Sequence, residues 1–187
     1  MSENVFITHT LESAPPAARR AMDATVRNLG HLSPAVARLA SSPHLLDGFL
    51  KVSGLFEATT LDPLAREVLI LTVATRNACH ICVAMHTAKL TGMDADARLI
   101  AALRDSRSLD DERLEAIRVF TLAVLETSGA VDDATLQDFF ARGYTAQNAL
   151  EVVLGIGAYT LSTLANRLVQ APLDDRLKPY AWHPQVA

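Results

Sequence analysis

The sequence predicts an all-α fold, and three features carry that prediction. Half of the 187 residues are hydrophobic, yet aromatic residues make up only 5%. The apolar mass is Ala, Leu and Val, which suits packed helices better than sheets. Ser33-Pro34 and Asp62-Pro63 each put a capping side chain directly before a proline, a helix-start signature. No alternation of apolar and polar residues persists long enough to mark a strand. About seven to eight helices with short connections should form a single domain over residues 1–187, with an irregular arm at 1–14 and an extended tail at 171–187.

The helices are expected in this order. Ala17 to Leu29 follows Pro15-Pro16, and the next helix opens at Ser33-Pro34, breaks near Ser42-Pro43 and resumes as HLLDGFLKVSGLFE. Asp62-Pro63 opens LAREVLILTVATR, and Asn77 is placed as the N-cap of a helix running to about Gly92. Asp94 to Arg104 and Asp110 to Glu126 start on acidic residues, and Asp132 to Arg142 is ended by Gly143. Thr145 caps a long last helix reaching about Val169. Gly155 and Gly157 inside it lower helix propensity, so close backbone packing should compensate. Tyr180 and Trp182 in the proline-containing tail should dock on the body or on a neighbouring subunit.

Composition excludes several function classes. A formal net charge of −4 gives no field for nucleic acid or another polyanion. No stretch of 18 or more uninterrupted apolar residues suggests a membrane span. MSENVFITHTLESAPP lacks the basic and apolar regions of a secretory signal, so a cytoplasmic location is expected. A mean hydropathy of +0.18 is high for a chain this small. Some apolar surface should therefore be buried between subunits of a homo-oligomer.

The chemistry concentrates in CHICVAMH, residues 79–86. Cys79 and Cys82 are the only two cysteines, and His86 follows Cys82 by four. At roughly 100° per residue, positions 79, 82 and 86 fall within about a 60° arc of one helix. Helical Cα atoms at i and i+3 lie roughly 5 Å apart, inside the disulfide window. Near the first helical turn, Cys79 should be biased toward the thiolate by unpaired N–H groups and the helix dipole. His86 faces Cys82 at i,i+4 and can take its proton directly or through a water. Thiol redox chemistry is the leading reading. An unreactive core pair, or a metal site using His86 with His80 or Glu67, are the alternatives.

Glu67 shares its helical face with Leu64, Ile70, Leu71 and Ala74. A carboxylate there is costly unless paired. It is either half of an ion pair with an arginine such as Arg118 or Arg167, or it orients and charges His86 in a proton relay to the thiols. Arg66 is read as solvent-facing beside Asp62. His80 lies off the cysteine stripe and should be exposed. Asn166-Arg167 late in the last helix is either a buried polar network or part of a pocket wall.

Glu67, eleven intervening residues, then C-x-x-C-x-x-x-H resembles the active-site signature of the AhpD-like alkylhydroperoxidases of the carboxymuconolactone decarboxylase superfamily. The likeness is strongest over residues 45–95 and weaker to about 175. The resemblance implies an all-α fold, homo-oligomers that are often trimers or hexamers, and reduction of hydroperoxides by a cysteine pair cycling through a disulfide. By position it implies Cys82 as the peroxidatic cysteine, Cys79 as its resolving partner, and Glu67 with His86 as the proton relay. Ile81 stands where family members often carry histidine or tyrosine, with His80 displaced by one.

No nucleotide-binding signature is present, so no cofactor is expected and electrons should come from an external thiol or dithiol reductant. Two other functions stay open: a non-catalytic redox sensor or scaffold, and a carboxymuconolactone decarboxylase-like lyase.

Overall fold

The computed structural model describes residues 5–184. Among these it contains nine α-helices and one 3₁₀ segment, and no strand. The helices are α1 (Pro16–Leu29), α2 (Pro34–Leu39), α3 (Pro43–Glu57), α4 (Pro63–Arg76) and α5 (His80–Gly92). They continue as α6 (Ala97–Arg104), α7 (Glu112–Thr127), α8 (Asp133–Ala141) and α9 (Ala146–Leu168). The all-α expectation holds, with one more helix than the highest expected number because the six-residue α2 stands apart.

Local sequence explains the starts. Proline occupies the first turn of α1 to α4. Ser42, Asp62, Asp96, Asp111 and Asp132 each accept a hydrogen bond from a backbone N–H of the helix they open. Thr145 and Asn148 form a reciprocal capping box on α9. Ser33 sits at the N-cap of α2 without making a side-chain bond.

Helix α4 is the hub. It packs against α5, α7 and α9, and every residue from Glu67 to Ala74 is buried. A helix surrounded on all sides has no polar face, which is why this stretch reads as continuously apolar. Helix α9 crosses α4 closely at Gly155. A Cβ there would lie 2.5 Å from a Phe56 ring carbon and 3.0 Å from a Leu69 methyl. Gly157 has open space instead, so close packing explains only the first of the two glycines.

Helix α9 is long and apolar enough to cross a membrane by length and composition alone, but half of its apolar window is buried inside the body. Its other face carries Leu150, Val153, Leu161, Leu164 and Leu168, all exposed.

The described part of the N-terminal arm packs on α2, with His9 N donating to Ala37 O at 3.2 Å; residues 1–4 lie outside the described residues. The tail is not extended throughout, because Asp175–Tyr180 forms the 3₁₀ segment. It docks on the body of its own chain. Arg104 donates to Tyr180 O (3.0 Å), Ala181 O (2.8 Å) and Thr87 Oγ1 (3.0 Å), while Trp182 Nε1 donates to Arg104 O (3.0 Å). Residues 185–187 lie outside the described residues.

Candidate active site

The junction between α4 and α5 differs from the sequence expectation. Asn77 is the C-cap of α4, Ala78 takes a left-handed φ of 50°, and Cys79 is the N-cap of α5. A capping sulfur weakens the helix start relative to Ser or Asp. The junction is held instead by α9: Arg167 donates to Asn77 O at 2.7 Å, and Asn77 Nδ2 donates to Thr163 Oγ1 at 2.9 Å.

Cys79 and Cys82 are free, buried thiols whose sulfurs lie 2.7 Å apart, within hydrogen-bond reach. The bond to Cys82 lowers the Cys79 pKa. Burial opposes this, and the N–H groups of Cys82 and Ile81 and the Arg167 guanidinium reinforce it. The Cys82 pKa is raised well above the ordinary thiol value by the bond to Cys79, by burial and by the negative charge that Cys79 holds. The shifts run in opposite directions, so Cys79 is the more acidic sulfur of the pair.

Glu67 and His86 meet as expected. His86 Nδ1 lies 2.7 Å from Glu67 Oε2, and both side chains are buried. The arginine alternatives fail, since Arg118 binds Glu115 and Arg167 binds Asn77. Lys89 is a cation that reaches Glu67, with Nζ 2.8 Å from Oε1. The same ammonium lies 2.8 Å from Glu57 Oε1. Burial alone would raise the Glu67 pKa, but the His86 imidazole and the Lys89 ammonium outweigh it, and the net value is below the ordinary range. The Tyr159 ring meets His86 edge-on at 5.4 Å and covers that side of the pair.

Among the described residues no direct hydrogen bond joins His86 to Cys82, which leaves the water-mediated route of the sequence reading. Among the described residues, the polar partners of Cys82 are Cys79, Ser162 Oγ at 3.9 Å and Asn166 Nδ2 at 3.5 Å. The sulfur turns toward α9 while the imidazole turns toward α4. Among the described residues no three His, Cys, Asp or Glu side chains converge as a metal site. His80 is half-buried rather than exposed, and burial together with the nearby charge of His183 lowers its pKa. Arg66 is largely buried as well, donating to Leu61 O at 2.6 Å, and Asp62 pairs with Arg113 instead.

Lys89, Tyr159 and Ser162 were not predicted from the sequence. Tyr159, Ser162 and Asn166 recur at helical spacing on α9, a polar stripe in an apolar helix that is legible in hindsight. Lys89 lies one helical turn beyond His86 and gives no comparable signal.

Residues 43–111, which include Glu67, both cysteines and His86, match the family model described as Carboxymuconolactone decarboxylase family. The helical arrangement is that of AhpD-like proteins. A peroxidase-related protein from Ralstonia eutropha JMP134, described as an alkylhydroperoxidase AhpD core, superposes with a TM-score of 0.81. The two share 18% sequence identity over 92% of this chain and 93% of that one. A peroxidase-related protein from Silicibacter sp. TM1040 gives a TM-score of 0.76, with 15% identity over 94% and 95% of the two chains. A debrominase solved with 2,3,4-tribromopyrrole gives 0.74, with 16% identity over 96% of both chains. A search of curated protein sequences gives no significant match. The family match over residues 43–111 and the shared AhpD-like fold both support the resemblance drawn from Glu67, Cys79, Cys82 and His86.

Proposed function

We propose that this protein is a thiol-dependent peroxidase that reduces hydroperoxides through Cys79 and Cys82. The observation that carries the reading is the buried thiol pair, with its sulfurs 2.7 Å apart, beside a buried carboxylate–imidazole dyad. Cys79, as the thiolate, takes the Cys82 proton, and the Cys82 thiolate attacks the terminal peroxide oxygen. The O–O bond breaks, Cys82 becomes a sulfenic acid, and the leaving alkoxide receives a proton from the Glu67–His86 dyad. Cys79 then displaces hydroxide from the sulfenic sulfur, its own proton completes water, and the disulfide forms. One proton enters from solvent in the oxidative half of the cycle and one leaves when the pair is reduced again. The half-exposed Lys89 and the exposed Glu57 give the dyad a polar route to the surface. An external dithiol restores the pair by exchange.

The Glu67 carboxylate fixes the Nδ1–H tautomer of His86 and leaves Nε2 to handle the proton. The exposed apolar row on α9 supports assembly into a homo-oligomer. No nucleic acid or membrane partner is proposed, and a cytoplasmic location fits the peroxide-reducing role.

The deciding experiment measures peroxide consumption with several dithiol donors, wild type beside Cys82→Ser. Turnover lost in the variant supports the reading. A wild type that forms its disulfide once but does not turn over points to a redox sensor. A halogenated pyrrole belongs in the same assay, because a dithiol can also reduce a soft electrophile of that kind.

A further inference from the structure

Asn166 on α9 is 95% buried, at 5% relative exposure. Its Nδ2 lies 3.5 Å from Cys82 Sγ. Its Oδ1 is buried and has no hydrogen-bond partner among the described residues. Two other buried side-chain atoms share that condition. Glu67 Oε1 is compensated by the Lys89 ion pair, and the Thr160 hydroxyl belongs to a side chain only partly withdrawn from solvent. The Asn166 acceptor has no such compensation.

An orphaned buried acceptor is unfavourable, and native proteins retain one where a ligand or a reaction uses it. Here the orphan sits on the same planar carboxamide as a donor aimed at the sulfur. A hydroperoxide presents one O–H, on the oxygen that a thiolate attacks.

We propose that Asn166 is a catalytic residue that holds the sulfur and the incoming peroxide in one plane. Its Nδ2 donates to Cys82 Sγ, and its Oδ1 accepts the O–H of the terminal peroxide oxygen. This rests on the peroxidase reading and deepens it by naming the substrate's recognition group.

The chemistry balances around that contact. The terminal oxygen keeps its hydrogen when it passes from peroxide to sulfur. The S–O bond forms as the O–O bond breaks, and the alkoxide leaves toward His86. The same Oδ1 then accepts the O–H of the Cys82 sulfenic acid. The hydrogen bond that orients the substrate is thus preserved in the product, and Ser162 Oγ, 3.9 Å from the sulfur, closes the other side. Reacting atoms must come within about 3–3.5 Å in alignment, which a rigid carboxamide on a helix provides.

The test compares two reactions of the same sulfur in a Cys79→Ser background. Hydrogen peroxide and tert-butyl hydroperoxide need the O–H acceptor, whereas iodoacetamide has no O–H. Sulfenic acid formation and alkylation at Cys82 are both followed by mass. Asn166→Leu should slow peroxide oxidation by about 10–100-fold, the scale of losing one positioned polar group. It should slow alkylation much less. Asn166→Asp keeps an acceptor, so both reactions should slow together and their ratio should stay near that of the parent. If leucine does not fold, Asn166→Ala removes the same two atoms. Equal losses in both reactions for Asn166→Leu or Asn166→Ala would overturn the inference, because Asn166 would then act on the sulfur alone or satisfy itself with a buried water. Peroxidase turnover in the otherwise unmodified protein would survive that outcome. A parent protein that is alkylated but never oxidised by peroxide overturns the peroxidase reading itself, and this inference with it.

Discussion

Lys89 holds its ammonium 2.8 Å from the buried Glu67 carboxylate and 2.8 Å from the exposed Glu57. Glu67 itself is completely buried on α4. A buried ionised group without a partner costs several kcal/mol, roughly. Lys89 and His86 together keep Glu67 charged inside the bundle.

The charge has a signature in acid. The Glu67 pKa is lowered in the folded state, so its contribution to stability is complete above the unfolded value of about 4.3 and is lost as pH falls through the folded value. Urea midpoints measured from neutral pH down through that range should fall more steeply for wild type than for Glu67→Gln. Parallel curves would show that the carboxylate gains nothing from folding.

The relay reading of the same residue concerns rate. Glu67→Gln keeps the shape and removes the charge. Peroxide turnover should drop by roughly one to two orders of magnitude, since positioned proton transfer contributes about 10²–10⁴-fold. Turnover that persists while stability falls would identify a purely structural ion pair.

The thiol pair predicts a counter-intuitive titration. Cys79 raises the Cys82 pKa through its hydrogen bond and its charge, and Asn166 and Ser162 pull it down. Cys79→Ala should therefore lower the Cys82 pKa relative to wild type. Ultraviolet thiolate absorbance against pH reads this directly, and an upward shift would refute the influence of Cys79 on the Cys82 thiol.

Arg104 ties the tail to the body through two hydrogen bonds, donated to Tyr180 O and Ala181 O, and a third to Thr87 Oγ1 on α5 braces its guanidinium. Arg104→Ala should reduce stability by about 1–3 kcal/mol and open residues 175–184 to protease. Denaturant unfolding and limited proteolysis with peptide mapping measure the two effects. A tail equally protected in both proteins would mean that Trp182 alone anchors it.

The exposed leucines of α9 predict assembly. Light scattering at micromolar concentration should find a species larger than the monomer, and Leu164→Lys should shift it toward smaller mass. Identical masses for the two proteins would remove α9 from the interface.

Much of the fold was legible because helix starts are local. Asp62, Asp132 and Thr145 announce their helices by side chains that bond backbone within three residues. Glu67 was legible as buried because its face is apolar, and its meeting with His86 followed from the order of two adjacent helices. Its cation was not, because Lys89 reaches it through a long flexible side chain from another helix. Asn77 was misplaced since its side chain serves Thr163, 86 residues away, instead of its own helix. The Cys82 surroundings were misjudged for a similar reason. Spacing along α5 says which residues share a stripe, but α9 decides which way the sulfur turns.

Gly155 touches neither cysteine, yet it calibrates the thiol site. The missing side chain lets α9 rest on Phe56 and Leu69, and Asn166 lies eleven residues along the same rod, roughly 16 Å away. One added methyl would act as a wedge, tilting the rod and changing the gap between the carboxamide and the sulfur. A mutational scan scored on activity alone would thus flag position 155 alongside 82 and 166, and a redesign of this protein's reactivity could begin at a residue that no substrate ever meets.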